Sequence, residues 1–241
     1  MFAVIPLIGW LVIVVGGLGG VGGGVYGVAK LIKWLKSDPH RDFILTLGPK
    51  MGGKTELKEA MLGRPYNKER VGTVSWNEPA SVGGDKYIAA ISDCGGEENH
   101  IKENCLEVMD YLKMKQSKYV LTLFIFDLKS LHEKGVLDVA DSLCLYVKML
   151  RDAIAGLPPG HYARSVYESG NWYCGIIGTH KDCVVDVPSL KEMESTLFDE
   201  KIMGKIRPIG KRIRFVDLKC DKGRKEALES VVGYLKEMHE A

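Results

Sequence analysis

Short apolar runs alternate with stripes of helical period from Arg41 to the end of the chain. Phe43–Leu47, Tyr87–Ser92, Tyr119–Phe126, Trp172–Gly178 and Ile213–Leu218 have the length and composition of strands buried on both faces. Between them, apolar residues recur at the three- and four-residue spacing that puts them on one side of a helix. Leu57, Ala60 and Met61 make the first stripe, and Ile101, Cys105, Val108 or Met109, and Leu112 the second. Val139, Leu143, Tyr146, Val147, Leu150 and Ile154 make a longer third. Leu190, Met193 and Leu197 suggest a fourth, and Leu228, Val231, Val232, Leu235 and Met238 a last helix. Val71–Glu78 reads as a strand antiparallel to Tyr87–Ser92, and the Pro/Gly-rich stretch from Gly156 to Gly170 as a surface loop. The order predicts an α/β domain with a mostly parallel six-stranded sheet and helices on both faces.

The first part of the chain has a different pattern. Phe2 to Ala29 holds no charged residue and is followed by Lys30, Lys33, Lys36 and Arg41. As a helix it would reach roughly 40 Å, more than the roughly 30 Å of bilayer hydrocarbon. A cleaved signal peptide is the rival reading, but it normally starts with a basic region and has a shorter apolar core. The pattern favours a retained single-pass transmembrane helix. The basic flank then puts everything after Lys30 on the cytoplasmic side. Gly16, Gly20 and Gly24, spaced by four, would allow close approach of a partner helix in the membrane. The division expected is 1–36 for the anchor and its basic flank, 37–41 for a linker, and 42–241 for the α/β domain.

The chemistry begins where the first strand ends. Gly48 to Thr55 reads G-P-K-M-G-G-K-T, directly after Phe43–Leu47 and before a helical stripe. That is G-x-x-x-x-G-K-[ST] in its strand-to-helix setting, the P-loop NTPase pattern. Amides of Gly48, Gly52 and Gly53 and the helix start form a nest for phosphate oxygens. Lys54 would reach the β- and γ-phosphates, and the Thr55 hydroxyl would ligate Mg²⁺. Lys50, at the loop's tip, reads as a solvated lysine, with a built-in cation near the γ-phosphate as the sharper reading.

Four further signals follow in order: Thr73 in Val71-Gly-Thr-Val74, Asp93-Cys-Gly-Gly96 closing a strand, Thr179-His-Lys-Asp182 closing another, and Asp217-Leu-Lys219 closing the last. Each alone is weak. Together, and in this order, they resemble the small GTPases over most of residues 42–238. The likeness is to the Arf-like and signal-recognition-particle-receptor β-subunit branch, since Thr73-Val-Ser-Trp-Asn77 is similar to T-V-G-F-N and Asp93-Cys-Gly-Gly96 to D-V-G-G. The resemblance implies a G domain binding GTP or GDP with Mg²⁺. It implies that Thr55 and Thr73 ligate the metal, that Asp93 holds it through water, and that the Gly96 amide senses the γ-phosphate. Asp182 would accept from guanine, with Thr179 and His180 in the same motif, and the segment ending at Lys219 would close over the base.

The chain departs from the family in two informative places. His180 stands where a lysine stem usually stacks on guanine. Glu97 follows Gly96, where many relatives carry a water-positioning Gln; a carboxylate there accepts from water but repels the γ-phosphate. Lys54, Thr73, Gly96 and Glu97 are therefore the expected catalytic set, with slow intrinsic GTP hydrolysis. Phe2 excludes N-myristoylation and the Met238-His-Glu-Ala241 terminus is no prenylation box, so attachment would rest on the helix.

Composition removes other classes. Lys and Arg total 33 against 31 Asp and Glu, so nothing electrostatic argues for nucleic acid. The six cysteines form no C-x-x-C pair and suit a reducing compartment. H-E-x-x-H and G-x-S-x-G are both absent. The expected activity is a membrane-anchored GTP switch that recruits a protein partner through the Thr73 and Gly96–Lys113 segments. A GTP-bound receptor or assembly scaffold that does not hydrolyse is the alternative, and an ATP-binding P-loop protein a third.

Overall fold

A computed structural model of the chain describes residues 42–64, 77–82, 87–93, 101–180, 191, 195–210 and 213–241. The chain divides into two units, Met1–Asp38 and Pro39–Ala241, and the described residues all belong to the second. The expected membrane helix lies outside the described residues. Among the described residues no helix is long and apolar enough to cross a membrane.

Among the described residues seven strands form one sheet in the order β2-β3-β1-β4-β5-β6, with β7 also on β5. They are β1 (Asp42–Leu47), β2 (Asn77–Val82), β3 (Tyr87–Asp93), β4 (Val120–Asp127), β5 (Trp172–Thr179), β6 (Arg207–Pro208) and β7 (Arg214–Phe215). β1, β3, β4, β5, β6 and β7 run parallel, and β2 pairs antiparallel with β3 at the edge. The helices are α1 (Lys54–Met61), α2 (Ile101–Lys115), α3 (Leu128–Lys134), α4 (Val136–Ala155), α5 (Tyr162–Glu168), α6 (Glu200–Met203) and α7 (Asp221–Glu240).

Alternation along β1 and β4 divides the interior into two cores. Phe43, Leu45 and Leu47, with Phe124 and Phe126, pack on one face against α2, α4 and α5 through Met109, Leu112, Tyr146 and Val166. Ile44, Leu121, Leu123 and Ile125 pack on the other against α1 and α7 through Leu57, Met61, Val231 and Leu235. Every residue of β1 is buried, as expected of a central parallel strand. Two large buried side chains use their polar ends within the sheet: Trp172 Nε1 donates to Thr122 Oγ1 at 2.9 Å and the Tyr234 hydroxyl to Ile176 O at 2.9 Å.

Several expected elements need correction. The antiparallel strand is Asn77–Val82, later than the Val71–Glu78 expected, and residues 71–76 lie outside the described residues. It includes Pro79, tolerated because β2 is an edge strand. The stretch 156–170 is not all loop, because α5 buries Ala163 and Val166 in it. The expected strand Ile213–Leu218 contributes only Arg214–Phe215 to the ladder. The sixth strand position is filled in two pieces: β6 pairs with Tyr173 and Cys174, and β7 with Ile177 and Gly178. The first piece, Arg207–Pro208, is too short to carry a hydrophobic period.

Candidate functional site

The strand order reverses at β1. From it the chain leaves through α1 towards β2 and β3 on one side, and β4 lies on the other. In open α/β sheets the crevice beyond the carboxyl ends of strands at such a point is where ligands sit. The glycine loop leaves β1 there.

Backbone shape in the loop depends on its glycines. Gly48 has φ 151°, and an ideal Cβ there would lie 2.0 Å from Ile125 O, so the loop starts in contact with the β4 backbone. Gly53 has φ 88° and caps α1 without any side-chain hydrogen bond. Gly52 N donates to Pro49 O at 3.2 Å and Leu57 N to Gly53 O at 2.9 Å, closing the turn into the helix. Met51, at φ 62° and 85% exposed, is the non-glycine residue held in left-handed conformation at the tip.

Lys54 is buried, and its Nζ donates to Gly48 O at 2.9 Å and to Pro49 O at 2.7 Å. The ammonium is therefore folded over the loop from inside. That location suits phosphate oxygens, with charge supplied by the lysine and donors by the helix start. Thr55 follows it, half-buried, in the first turn of α1, and Lys50 is exposed on the loop.

The loop is tied to the end of β5. Thr179 Oγ1 lies 2.9 Å from Gly52 O and 3.2 Å from Phe126 O, and the hydroxyl's one proton serves these carbonyls. His180 follows at φ 58°. Its Nδ1 is 2.9 Å from Asp127 Oδ1 and 3.2 Å from Thr179 Oγ1. Asp127 ends β4 opposite Thr179 in the ladder and caps α3, accepting from Lys129 N at 2.9 Å. Sequence reasoning passed over Asp127, although its signal, an Asp closing an apolar strand, is the one that drew attention to Asp93 and Asp217.

After β7, Val216 N donates to Gly178 O at 2.9 Å and carries the chain to the same end of the sheet. Asp217 Oδ1 accepts from Lys219 N at 2.9 Å, making a tight turn before α7. Gly223 in the first turn of α7 allows the Asp217 carbonyl to approach, since an added Cβ would meet Asp217 O at 1.9 Å. Arg214 fixes this corner: it stacks on Tyr234 at 4.0 Å and bonds Ser230 O and Glu237 Oε1, each at 2.7 Å.

Gly48, Lys50, Gly52, Gly53, Lys54, Thr55, Thr179, His180 and Lys219 are thus carried on segments at the carboxyl ends of β1, β5 and β7. Asp93 is the last residue of β3, registered with Thr46 of β1. Thr73, Gly96, Glu97 and Asp182 lie outside the described residues. Among the described residues no group of His, Cys, Asp and Glu could by itself hold a metal ion.

No protein-family model matches the chain, and no curated protein matches it in sequence. Among solved structures, a chain in the structure of the mammalian SRP receptor is similar, with a TM-score of 0.52 and 13% sequence identity. The likeness covers 80% of this chain and 99% of that one. The likeness is one of fold, a mixed α/β architecture with a mostly parallel sheet.

Proposed function

We propose that this protein is a GTP- and GDP-binding switch with Mg²⁺ as its metal, held at a membrane by its N-terminal segment. The observation that carries the reading is the glycine loop at the sheet's switch point, with Lys54 folded over its carbonyls and Thr179 tied to Gly52. The fold likeness to the SRP receptor chain supports a switch that engages a protein partner.

The residues fit the ligand. The loop offers amides without side chains in the way, a buried ammonium for the β- and γ-phosphates, and the Thr55 hydroxyl for Mg²⁺. Thr73 and Asp93 would complete the metal's surroundings, and the Gly96 amide would register the γ-phosphate. Asp182, with Thr179, His180 and Lys219 around the base, would select guanine. The bound metal would neutralise charge that develops between the phosphates. Glu97 in place of a Gln favours slow hydrolysis and a long-lived GTP form. The apolar Phe2–Ala29 segment and its basic flank support a single-pass anchor with this domain in the cytoplasm.

The decisive experiment loads the full-length protein in detergent with GTP, GDP, ATP or xanthosine triphosphate in the presence of Mg²⁺. Guanine nucleotides should bind in preference to ATP, and Asp182→Asn should shift preference towards xanthine, whose 2-oxo group needs a donor. Equal binding of ATP and GTP, with no change in base preference for the variant, would remove the guanine assignment. Multiple-turnover hydrolysis should be slow without a partner. GTP that co-purifies stoichiometrically and persists for hours would favour the scaffold reading over a cycling switch.

A further inference from the structure

An imidazole at the base motif raises a problem that a lysine stem does not. A flexible aliphatic chain can settle against a purine from many directions, whereas a flat ring must be presented in one plane. The ring of His180 has two acceptors converging on a single nitrogen. Asp127 Oδ1 lies 2.9 Å from Nδ1, and Thr179 Oγ1 lies 3.2 Å from it. The carboxylate can only accept, and the Thr179 proton is directed to Gly52 O and Phe126 O. The proton of the neutral ring therefore sits on Nδ1, leaving Nε2, across the ring, as the unprotonated nitrogen. Asp127 is itself held. Its Oδ1 also accepts from Lys129 N at 2.9 Å, and its backbone is registered against Thr179 in the β4–β5 ladder. The His180 side chain is 29% exposed and the Asp127 side chain 17%, so the pair is partly shielded while the ring keeps an open side.

We propose that Asp127 is a positioning residue for base recognition. It fixes the tautomer and the ring plane of His180, so that the imidazole offers a prearranged flat surface to a purine. The inference rests on the guanine-nucleotide reading above. The bland alternative is that Asp127 only caps α3, and two substitutions separate them. Asp127→Ser keeps a capping oxygen but is a carbon shorter and does not reach the ring. Asp127→Asn keeps both the cap and an acceptor for Nδ1–H.

The test uses the full-length protein, fluorescent GDP titrations and ¹⁵N spectra of histidine-labelled samples at pH 8. Asp127→Ser and His180→Ala should each weaken GDP binding by about tenfold, and the double variant should be no weaker than His180→Ala alone. Asp127→Asn should stay within about threefold of the parent. The parent and Asp127→Asn should show the Nδ1-protonated pattern for His180, and Asp127→Ser should lose it. Parent-like GDP binding by Asp127→Ser, or losses that add in the double variant, would overturn the inference. If the parent binds no guanine nucleotide, the functional reading fails, and the tautomer alone decides the positioning role. An Nε2-protonated ring in the parent overturns it, and an Nδ1-protonated ring lost in Asp127→Ser upholds it.

Discussion

The Thr179 hydroxyl meets the carbonyl of Gly52 at 2.9 Å across 127 residues of chain, joining the glycine loop to the end of β5. The contact is buried, so removing the hydroxyl leaves a carbonyl without its donor. Thr179→Val should destabilise the domain by about 1–2 kcal/mol in urea unfolding, and Thr179→Ser by under about 0.5 kcal/mol. The Val variant should also bind GDP about fivefold to tenfold less tightly, because the loop and the base motif are no longer coupled. Unchanged affinity would mean that the two segments act independently.

Two glycines with left-handed backbones should respond very differently to a methyl group. At Gly48, φ is 151° and the new Cβ would lie 2.0 Å from Ile125 O, a backbone atom of a central strand. Gly48→Ala should cost more than about 3 kcal/mol or prevent folding. Gly63, at φ 68°, has nothing within 4 Å of the added atom. Gly63→Ala should cost only about 1–2 kcal/mol, the conformational penalty alone. Denaturant melts of the two variants check the contrast.

Lys54 bonds Gly48 O and Pro49 O, so its removal loosens the loop as well as deleting a charge. Charge-assisted hydrogen bonds contribute about 1.5–3 kcal/mol each, and a lysine bridging two phosphates makes more than one. Lys54→Ala should therefore lower GTP affinity by about 100-fold or more in titrations.

These contrasts rest on features of unequal visibility in the chain itself. Phe43–Leu47 and Gly48–Thr55 were legible because a continuous apolar run and a spaced glycine-lysine pattern are local. The long stripe Val139–Ile154 was legible for the same reason, and α4 buries each of those residues. α3 escaped because it follows β4 without a break, and among its described side chains the buried apolar ones are just Leu128 and Leu131. α5 was hidden between Pro158-Pro159-Gly160 and Gly170. The Asp127–His180 contact is tertiary, and no spacing rule in one chain brings residues of two strands together.

At the other end of the sheet, Asp42 carries a pH prediction. Its side chain is 5% exposed, with Oδ2 3.0 Å from His239 Nε2, while among the described residues Oδ1 has no hydrogen-bond partner. Tyr119 packs edge-on against the His239 ring at 5.1 Å. Burial raises the Asp42 pKa above its ordinary 3.8, and the hydrogen bond and charge of His239 offset part of that. A raised folded pKa means that the stabilising protonated form is fully present below 3.8 and lost as pH climbs through the folded value. Asp42→Asn, which cannot ionise and still accepts from His239, should gain in melting temperature relative to the parent as pH rises from about 3.5 to 7. A gap that narrows instead would show that attraction to His239 outweighs burial.

The placement of β1 also has a mechanical consequence. The domain's first strand is also a central one, with Asp42–Thr46 registered against Ala89–Asp93 and Phe43–Leu47 against Val120–Phe124. Tension directed along β1 from its Asp42 end loads the strand lengthwise. It must shear both ladders at once, because neither edge is free to peel open one bond at a time. The glycine loop lies at the far end of that strand, about 20 Å along its axis. A pull along β1 from its Asp42 end is therefore borne by two ladders at once before it reaches the glycine loop.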